Sequence, residues 1–300
     1  LIRLIPGMSA LIRLLYVPQN AHPVSLFDLE FRNPVGLAAG FDKNGQHLGT
    51  LVDLGFGFIE VGSITAQPTL GNQKPRLFRL PDDHAIINRM GLNNEGAEVI
   101  VERIRTLRTD GFPLPIFINI AKTHSAEIQG IDAINDYCDS IRLAQEIADV
   151  LVLNISCPNS GDGRTFEDPE ALEALLKAAR ETLTDASVPL VLKISPDLND
   201  EQIEQVVHLA ERFSIDGFTA TNTTMDRTGL RSSKAFVDTI GPGGLSGEPL
   251  HERAVETVRR LRARTRLPII AVGGVMGPRE AQTFIQAGAS LVQIYTGLIY

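Results

Sequence analysis

Six residues at positions 154–159 offer the clearest chemistry in the sequence. They read Asn-Ile-Ser-Cys-Pro-Asn and follow an aliphatic run at residues 150–153. An apolar run that ends in turn residues is typical of a buried parallel strand, and barrel enzymes carry their chemistry at such strand ends. The thiol of Cys157 could exchange a proton, and the amides of Asn154 and Asn159 could bind a polar ligand. The alternative is a structural cysteine beside asparagine caps, since free cysteine is among the most buried residue types.

Lys193 is the second residue whose position suggests chemistry. It interrupts an aliphatic run at residues 190–194 that predicts another buried strand. A lysine inside such a strand must lose its proton or meet an anion or an electron-rich acceptor. A flavin would be such a partner, because its N1–C2=O edge gains negative charge on reduction. The alternative is a lysine at the strand mouth whose ammonium reaches water.

Glycine-containing turns follow the last two predicted strands. Residues 271–274 read Ala-Val-Gly-Gly, residues 294–297 read Ile-Tyr-Thr-Gly, and a flexible Gly-Gly-Leu-Ser-Gly lies at residues 243–247. Barrels often bind phosphate at the ends of their seventh and eighth strands, through backbone N–H groups and a helix N-terminus. One Gly-Gly pair is usually only a turn, but these turns together with a buried lysine predict a phosphate cradle.

The elements that must position these residues are strands alternating with helices. Eight short aliphatic runs alternate with charged segments of helical periodicity, which is typical of parallel βαβ units and predicts a (β/α)8 barrel. A doubly wound open sheet is the alternative, but no G-x-G-x-x-G follows the first run. The predicted strands are residues 35–39, 58–61, 116–120, 150–155, 190–194, 217–221, 269–272 and 291–295. The predicted helices are residues 95–107, 135–150, 170–184, 200–213, 251–264 and 278–287.

The longest interval between predicted elements is at residues 62–94. It contains no convincing buried strand. Long loops in compact domains are usually functional, so we expect an elaborated loop or a small hairpin over the site.

Composition excludes several classes of function. The 300 residues carry a net charge of −8, so nucleic acid is not an expected partner. The two cysteines, Cys138 and Cys157, make no disulfide framework and indicate a reducing compartment. The six histidines have no paired spacing, and no H-E-x-x-H or C-x-x-C occurs, so no metal site is predicted.

The N-terminal segment is apolar with cationic edges. Residues 1–17 carry eight Leu and Ile residues, Arg3 and Arg13, and a Pro6-Gly7 break. They predict two short amphipathic helices suited to a membrane surface; the alternative is a helix that caps the bottom of the barrel. We therefore divide the chain into a helical extension at residues 1–22 and a barrel at residues 23–300. The last helix of the barrel is expected to lie beyond the sequence.

Several long segments resemble the dihydroorotate dehydrogenase family. They are GLAAGFDKNG at residues 36–45, GFIEVG at 57–62, GNQKPRLFRL at 71–80, NRMGLNN at 88–94, ATNTT at 220–224, GGLSG at 243–247 and LVQIYTG at 291–297. The resemblance covers nearly the whole chain from about Pro34. It implies a (β/α)8 barrel that binds FMN and oxidises dihydroorotate to orotate in pyrimidine synthesis.

The resemblance also implies roles for individual residues. Cys157 would be the catalytic base, and Lys43 would hold the charge of the substrate and stabilise charge that develops on its ring. FMN would contact Ala39, Gly40, Ser63, Asn119, Asn154, Lys193, Thr221, Gly247, Gly274, Tyr295 and Thr296. Dihydroorotate and orotate would contact Lys43, Asn88, Arg89, Met90, Gly91, Leu92, Asn154, Asn159, Asn222 and Thr223.

The electron acceptor is the point on which the sequence is divided. The N-terminal extension and the segments at residues 36–45 and 88–94 resemble the membrane-associated class that reduces quinone. Cys157 stands where that class has serine and is typical of the soluble class. We predict quinone, with the protein bound peripherally at the cytoplasmic face of the inner membrane. The alternatives are a soluble acceptor (fumarate or NAD) in the cytoplasm, or a tRNA-dihydrouridine synthase, which would need a basic surface.

Overall fold

The chain folds into a closed barrel of eight parallel strands surrounded by helices, which confirms the predicted (β/α)8 architecture. The computed structural model describes residues 7–18, 21–156, 166 and 168–300. Each predicted strand is present, with small shifts at its ends. The strands are β1 (Val24–Leu26), β2 (Leu29–Phe31), β3 (Val35–Leu37), β4 (Phe58–Ile64), β5 (Leu77–Leu80), β6 (Ala85–Asn88), β7 (Ile116–Ile120), β8 (Val150–Asn154), β9 (Leu190–Ile194), β10 (Gly217–Ala220), β11 (Gly244–Gly247), β12 (Ile269–Val272) and β13 (Leu291–Ile294).

The barrel runs in the order β3, β4, β7, β8, β9, β10, β12 and β13, and β13 pairs in parallel with β3 to close it. The six predicted helices are confirmed, although the second begins earlier, at Ile131, and ends earlier, at Ala144. The sequence did not predict the short helices α2 and α7. The helices are α1 (Met8–Tyr16), α2 (Leu48–Leu51), α3 (Ala97–Thr109), α4 (Ile131–Ala144), α5 (Pro169–Thr182), α6 (Asp200–Arg212), α7 (Lys234–Ile240), α8 (His251–Arg262) and α9 (Pro278–Gln286).

Successive side chains of each barrel strand point alternately to the helices and to the barrel axis. Ile59 and Ile118 belong to the large core between strands and helices. Their neighbours Phe58 and Phe117 belong to a separate apolar cluster. Both phenylalanines stand near the first residue of their strands, so this cluster fills the lower, N-terminal half of the barrel interior.

The hairpin β1–β2 closes the lower end of the barrel. Phe31 is fully buried, and its ring meets those of Phe58 and Phe117 edge-on, with centroids 5.5 and 6.0 Å away. Val24 and Leu26 of the same hairpin pack against this cluster. The lower end is therefore sealed by apolar packing, and this hairpin rather than the N-terminal helix forms the plug.

The interval at residues 62–94 forms a hairpin, as expected, but the prediction that it contains no buried strand was wrong. Strands β5 and β6 pair antiparallel, and β11 joins β6 to make a three-stranded sheet. The first three residues of β6, Ala85, Ile86 and Ile87, are buried. This apolar run is too short to stand out in the sequence, and its burial depends on pairing with β11, far along the chain.

The N-terminal segment contributes one described helix, α1, beside the turn that precedes β4. The guanidinium of Arg13 donates to the fully buried carboxylate of Asp53 at 2.5 Å. Leu14 and Leu15 on the same helix remain 69% exposed. The other predicted helix falls at residues 1–6, outside the described part of the chain. None of the described helices combines the length and apolar character needed to cross a bilayer.

Candidate active site

A pocket opens at the C-terminal ends of the barrel strands, opposite the plug. Loops that follow the strands form its rim, and the sheet β5–β6–β11 forms one side. Most of the residues that sequence analysis singled out line it. They are Ala39, Gly40, Lys43, Ser63, Asn88, Met90, Gly91, Leu92, Asn154, Lys193, Thr221, Asn222, Thr223, Gly247, Gly274, Tyr295 and Thr296.

Four predicted site residues are placed differently or lie outside the described ranges. The guanidinium of Arg89 donates to the carbonyls of Ile240 and Pro242 and stacks on Phe78, so it is turned away from the pocket. Asn119 is completely buried beneath the pocket wall. Cys157 and Asn159 lie outside the described residues.

Lys193 is buried, as its place in an apolar strand predicts, and it has an anionic partner inside the barrel. Its ammonium lies 3.8 Å from the carboxylate of Glu60, which is completely shielded from solvent. Glu60 Oε1 also accepts a hydrogen bond from Asn119 Nδ2 at 2.6 Å, and Oε2 accepts one from Gln293 Nε2. Strands β4, β7, β9 and β13 thus bring one cation, one anion and two amides together below the pocket.

Hydrogen bonds connect this cluster to the polar side chains of the pocket. Ser63 Oγ donates to Asn119 Oδ1, and Asn154 Nδ2 donates to Ser63 Oγ at 3.2 Å. Asn222 Nδ2 in turn donates to Asn154 Oδ1 at 3.2 Å. Because an ionised carboxylate only accepts hydrogen bonds, Glu60 fixes the orientation of Asn119 and, through it, of the amides that face a ligand.

Ser156 anchors the strand end from which the predicted catalytic loop departs. Its hydroxyl donates to the carbonyl of Lys193 at 3.2 Å, and its carbonyl accepts from Asn222 Nδ2 at 3.0 Å. The residue is only 4% exposed. Ser156, the last described residue before Cys157, is thus held by both β9 and the loop after β10.

The loop after β3 carries Lys43 to the pocket. The carboxylate of Asp42 accepts the backbone N–H groups of Gln46 at 2.9 Å and His47 at 2.7 Å. Asp42 is buried, so these bonds fix a tight turn on which the lysine is presented. The turn brings a second cationic side chain to the rim, well placed for an anionic ligand.

The turns after β11 and β12 need glycine, because neighbouring backbone lies too close to each position for a side chain. A Cβ on Gly247 would lie 2.3 Å from the carbonyl oxygen of His84, and a Cβ on Gly274 would lie 2.7 Å from that of Gly247. Both have positive φ, at +103° and +64°. Both glycines line the pocket beside Leu250, the residue before helix α8, and a helix N-terminus suits a phosphate group.

An aromatic pair stands at the rim beside this cradle. Burial raises the pKa of the Tyr295 hydroxyl, which donates to the carbonyl of Gly40 at 3.4 Å. The ring of Phe41 meets that of Tyr295 edge-on at 5.5 Å, and Phe41 is 36% exposed. One edge of the pocket is therefore apolar and faces solvent.

Sequence analysis missed two residues of the buried cluster, Glu60 and Gln293. Both interrupt aliphatic strands, Glu60 in β4 and Gln293 in β13. A polar residue inside an aliphatic strand is also what marks Lys193, so Glu60 and Gln293 could have been predicted in the same way. The described residues offer no hydrogen-bond partner for Gln293 Oε1, which lies in the pocket wall.

Comparison with known sequences finds relatives that match most of the chain. The family model described as dihydroorotate dehydrogenase matches residues 22–300. The dihydroorotate dehydrogenase (quinone) of Thermobifida fusca is 47% identical over 303 residues, which cover 99% of this chain and 80% of that protein. That of Kineococcus radiotolerans is 47% identical over 279 residues, which cover 91% of this chain and 76% of that protein.

Comparison with solved structures agrees. The crystal structure of the Eimeria tenella enzyme in complex with ferulenol superposes with a TM-score of 0.87 at 33% identity, over 97% of this chain and 86% of that one. The ligand-free form of the same enzyme gives a TM-score of 0.86. Since the family model matches residues 22–300 and the fold superposes on a solved member, the chain belongs to the dihydroorotate dehydrogenase family.

Proposed function

We propose that this protein oxidises dihydroorotate to orotate with bound FMN and passes the electrons to a quinone. The observation that carries the proposal is the buried Lys193 in the pocket wall of a chain that belongs to a flavin-dependent family. The relatives in Thermobifida fusca and Kineococcus radiotolerans are both named for quinone. Fumarate and NAD are therefore not favoured as acceptors. A net charge of −8 also does not favour an RNA substrate, which needs a basic surface.

The pocket fits FMN in the chemistry of its walls. Gly247 and Gly274 line the pocket beside the start of helix α8 and suit the phosphate. Lys193 and Gln293 Oε1, which has no partner among the described residues, suit a polar ring edge. When bound, the flavin supplies the acceptor for a hydride. The residues that would hold the flavin are the FMN contacts that the family resemblance implies. Asn119 would act from beneath the pocket, through its hydrogen bond with Ser63.

The remaining polar residues of the rim would hold the substrate. The amides of Asn88, Asn154 and Asn222 present donors and acceptors to a planar pyrimidine ring, which fixes its orientation and lowers the barrier to reaction. Lys43 would pair with the substrate carboxylate. The substrate loses the proton of C5 and the hydride of C6, and the thiolate of Cys157 would take the proton.

The exposed leucines of α1 support a peripheral membrane location. Leu14 and Leu15 are each 69% exposed. Transfer of apolar surface from water is favourable by about 25 cal/mol per Å², so these side chains would gain from contact with lipid. We place the protein at the cytoplasmic face of the membrane that holds its quinone.

The base is tested by Cys157→Ala. We expect the variant to retain FMN but to reduce it with dihydroorotate about 10²–10⁴-fold more slowly, the usual contribution of general-base catalysis. Single-turnover bleaching of flavin absorbance measures this rate. Cys157→Ser is the matched control and should be less impaired, because serine keeps a proton acceptor at the same atom. Bleaching of Cys157→Ala at the wild-type rate would remove the thiol from the reaction.

The acceptor is tested by deleting residues 1–17. We expect quinone-linked turnover to fall while single-turnover reduction of the flavin by dihydroorotate is unchanged. Lipid vesicles should stimulate the full-length protein only. A deletion variant that reduces quinone as fast as the full-length chain, or a full-length chain that prefers fumarate or NAD, would refute the assignment.

A further inference from the structure

We propose that Glu60 is a positioning residue that sets the reduction potential of the bound flavin by sharing the charge of Lys193. The inference rests on the proposed function, since it requires a flavin in the pocket. Glu60 does not line the pocket and reaches a ligand only through its neighbours. Its role is therefore electrostatic rather than catalytic.

The first support is that Glu60 is buried in a place where the fold alone would call for an aliphatic side chain. Inward positions one layer below hold Phe58, Phe117 and Val191, and these pack without polar groups. A buried carboxylate is unfavourable unless it is paired and hydrogen-bonded. Here both of its oxygens have partners, so the carboxylate is held in one position.

The second support is the set of residues that Glu60 connects. It accepts from Asn119, lies 3.8 Å from the ammonium of Lys193 and accepts from Gln293. Lys193 and Gln293 both face the pocket, and Asn119 reaches it through Ser63. Every partner of this buried anion is therefore in the pocket wall or one hydrogen bond from it.

The direction of the effect follows from the charges. Reduction adds negative charge to a bound flavin, and Lys193 stabilises that charge. Glu60 opposes it, both by its own charge in a poorly screened interior and by holding the ammonium of Lys193 toward the barrel axis. Glu60 therefore keeps the flavin a stronger reductant, which favours release of its electrons to the acceptor.

The test is the midpoint potential of the bound flavin in Glu60→Gln, measured by equilibration with reference dyes. The variant keeps the size of the side chain and removes its charge. We expect the equilibrium constant for reduction to rise at least tenfold, which is a shift of about +30 mV for a two-electron couple. Asp136→Asn is the matched control, because it replaces another buried carboxylate that contacts Thr123 and not the pocket. Its potential should equal that of the wild type.

A potential in Glu60→Gln within about 10 mV of the wild type, less than a threefold change in the equilibrium constant, would overturn the inference. A wild-type protein that takes up no FMN would instead overturn the proposed function, so the two failures are distinct.

Should Glu60→Gln not fold, the double variant Glu60→Gln/Lys193→Met removes both charges together. The ratio of its dissociation constants for oxidised and reduced FMN should favour the reduced form at least tenfold more than in Lys193→Met. Equal ratios would overturn the inference.

Discussion

The lower and upper halves of the barrel interior are built on the same strands and have opposite chemistry. In the lower half, Phe58 of β4 and Phe117 of β7 stack with centroids 4.7 Å apart in an apolar cluster. Two residues further along the same strands, Glu60 and Asn119 share a hydrogen bond of 2.6 Å. Because side chains alternate with a two-residue period along a strand, both pairs face the barrel axis. The lower half of the interior therefore contributes apolar packing, and the upper half contributes the polar groups next to the pocket.

The largest effect is expected when the upper half loses its cation. Lys193→Met leaves Glu60 as a buried carboxylate without its counter-charge, which should destabilise the protein by about 3–5 kcal/mol. FMN should also bind more weakly, so that it is lost on gel filtration although its dissociation constant can still be measured by titration. Chemical denaturation and flavin absorbance measure the two effects. The double variant Glu60→Gln/Lys193→Met should recover most of the stability without recovering the wild-type affinity for FMN. If Lys193→Met is as stable as the wild type, Lys193 is not needed to neutralise the buried carboxylate of Glu60, and the contrast between the two halves fails.

A similar loss of stability with a different consequence is expected in the lower half. Phe117→Ala opens a cavity beside Phe31 and Phe58 and should lower the free energy of unfolding by about 3–5 kcal/mol. The protein that remains folded should bind FMN with unchanged affinity, because the ring lies below the polar cluster. Phe117→Leu is the control and should lose less stability. Weakened FMN binding in either folded variant would mean that the plug also shapes the pocket.

The smallest effect concerns a carboxylate outside the barrel. Burial is the main cause that raises the pKa of Asp136, although it accepts the N–H of Thr123. Because the folded protein binds this proton more tightly than the unfolded chain, its contribution to stability is present at low pH and is lost as the pH rises through the raised pKa.

Asp136→Asn should therefore be slightly more stable than the wild type at neutral pH, by less than about 1 kcal/mol. The difference should shrink as the pH falls through the raised pKa. Urea denaturation at a series of pH values measures it. A variant that is less stable than the wild type at pH 7 would show that the carboxylate makes a favourable contact there, for instance with Lys122.

The sequence predicts the barrel and most of the pocket because both depend on short stretches of sequence, namely aliphatic runs and the polar residues within or just after them. Eight aliphatic runs gave the strands, and one polar residue inside such a run located Lys193. The hairpin β5–β6 and the strand β11 were harder, because each has four residues and is stabilised by the others across the chain. Glu60 and Gln293 were missed although the same signal marks them, since a single polar residue reveals its function only when its partners are known.

The sequence could not give the orientation of a side chain that is fixed by distant partners. Arg89 lies in a segment that carries the family resemblance, and its neighbours Asn88 and Met90 line the pocket. In the fold its guanidinium turns to the carbonyls of Ile240 and Pro242. Arg89 follows directly after β6 and is held by carbonyls on the other side of the chain from the pocket. A motif therefore contains more residues than the number that meet a ligand.

The pairing of β13 with β3 determines when during synthesis a ligand can bind in the pocket. Gly36 stands opposite Gln293, so the first and last strands of the barrel form one continuous wall. During synthesis, β3 leaves the ribosome long before β13 has been made, and domains of this kind fold as units. Gln293, Tyr295 and Thr296 line the pocket, so its wall is incomplete until β13 has been made and has paired with β3. A ligand that needs this wall can therefore bind only after translation has passed β13.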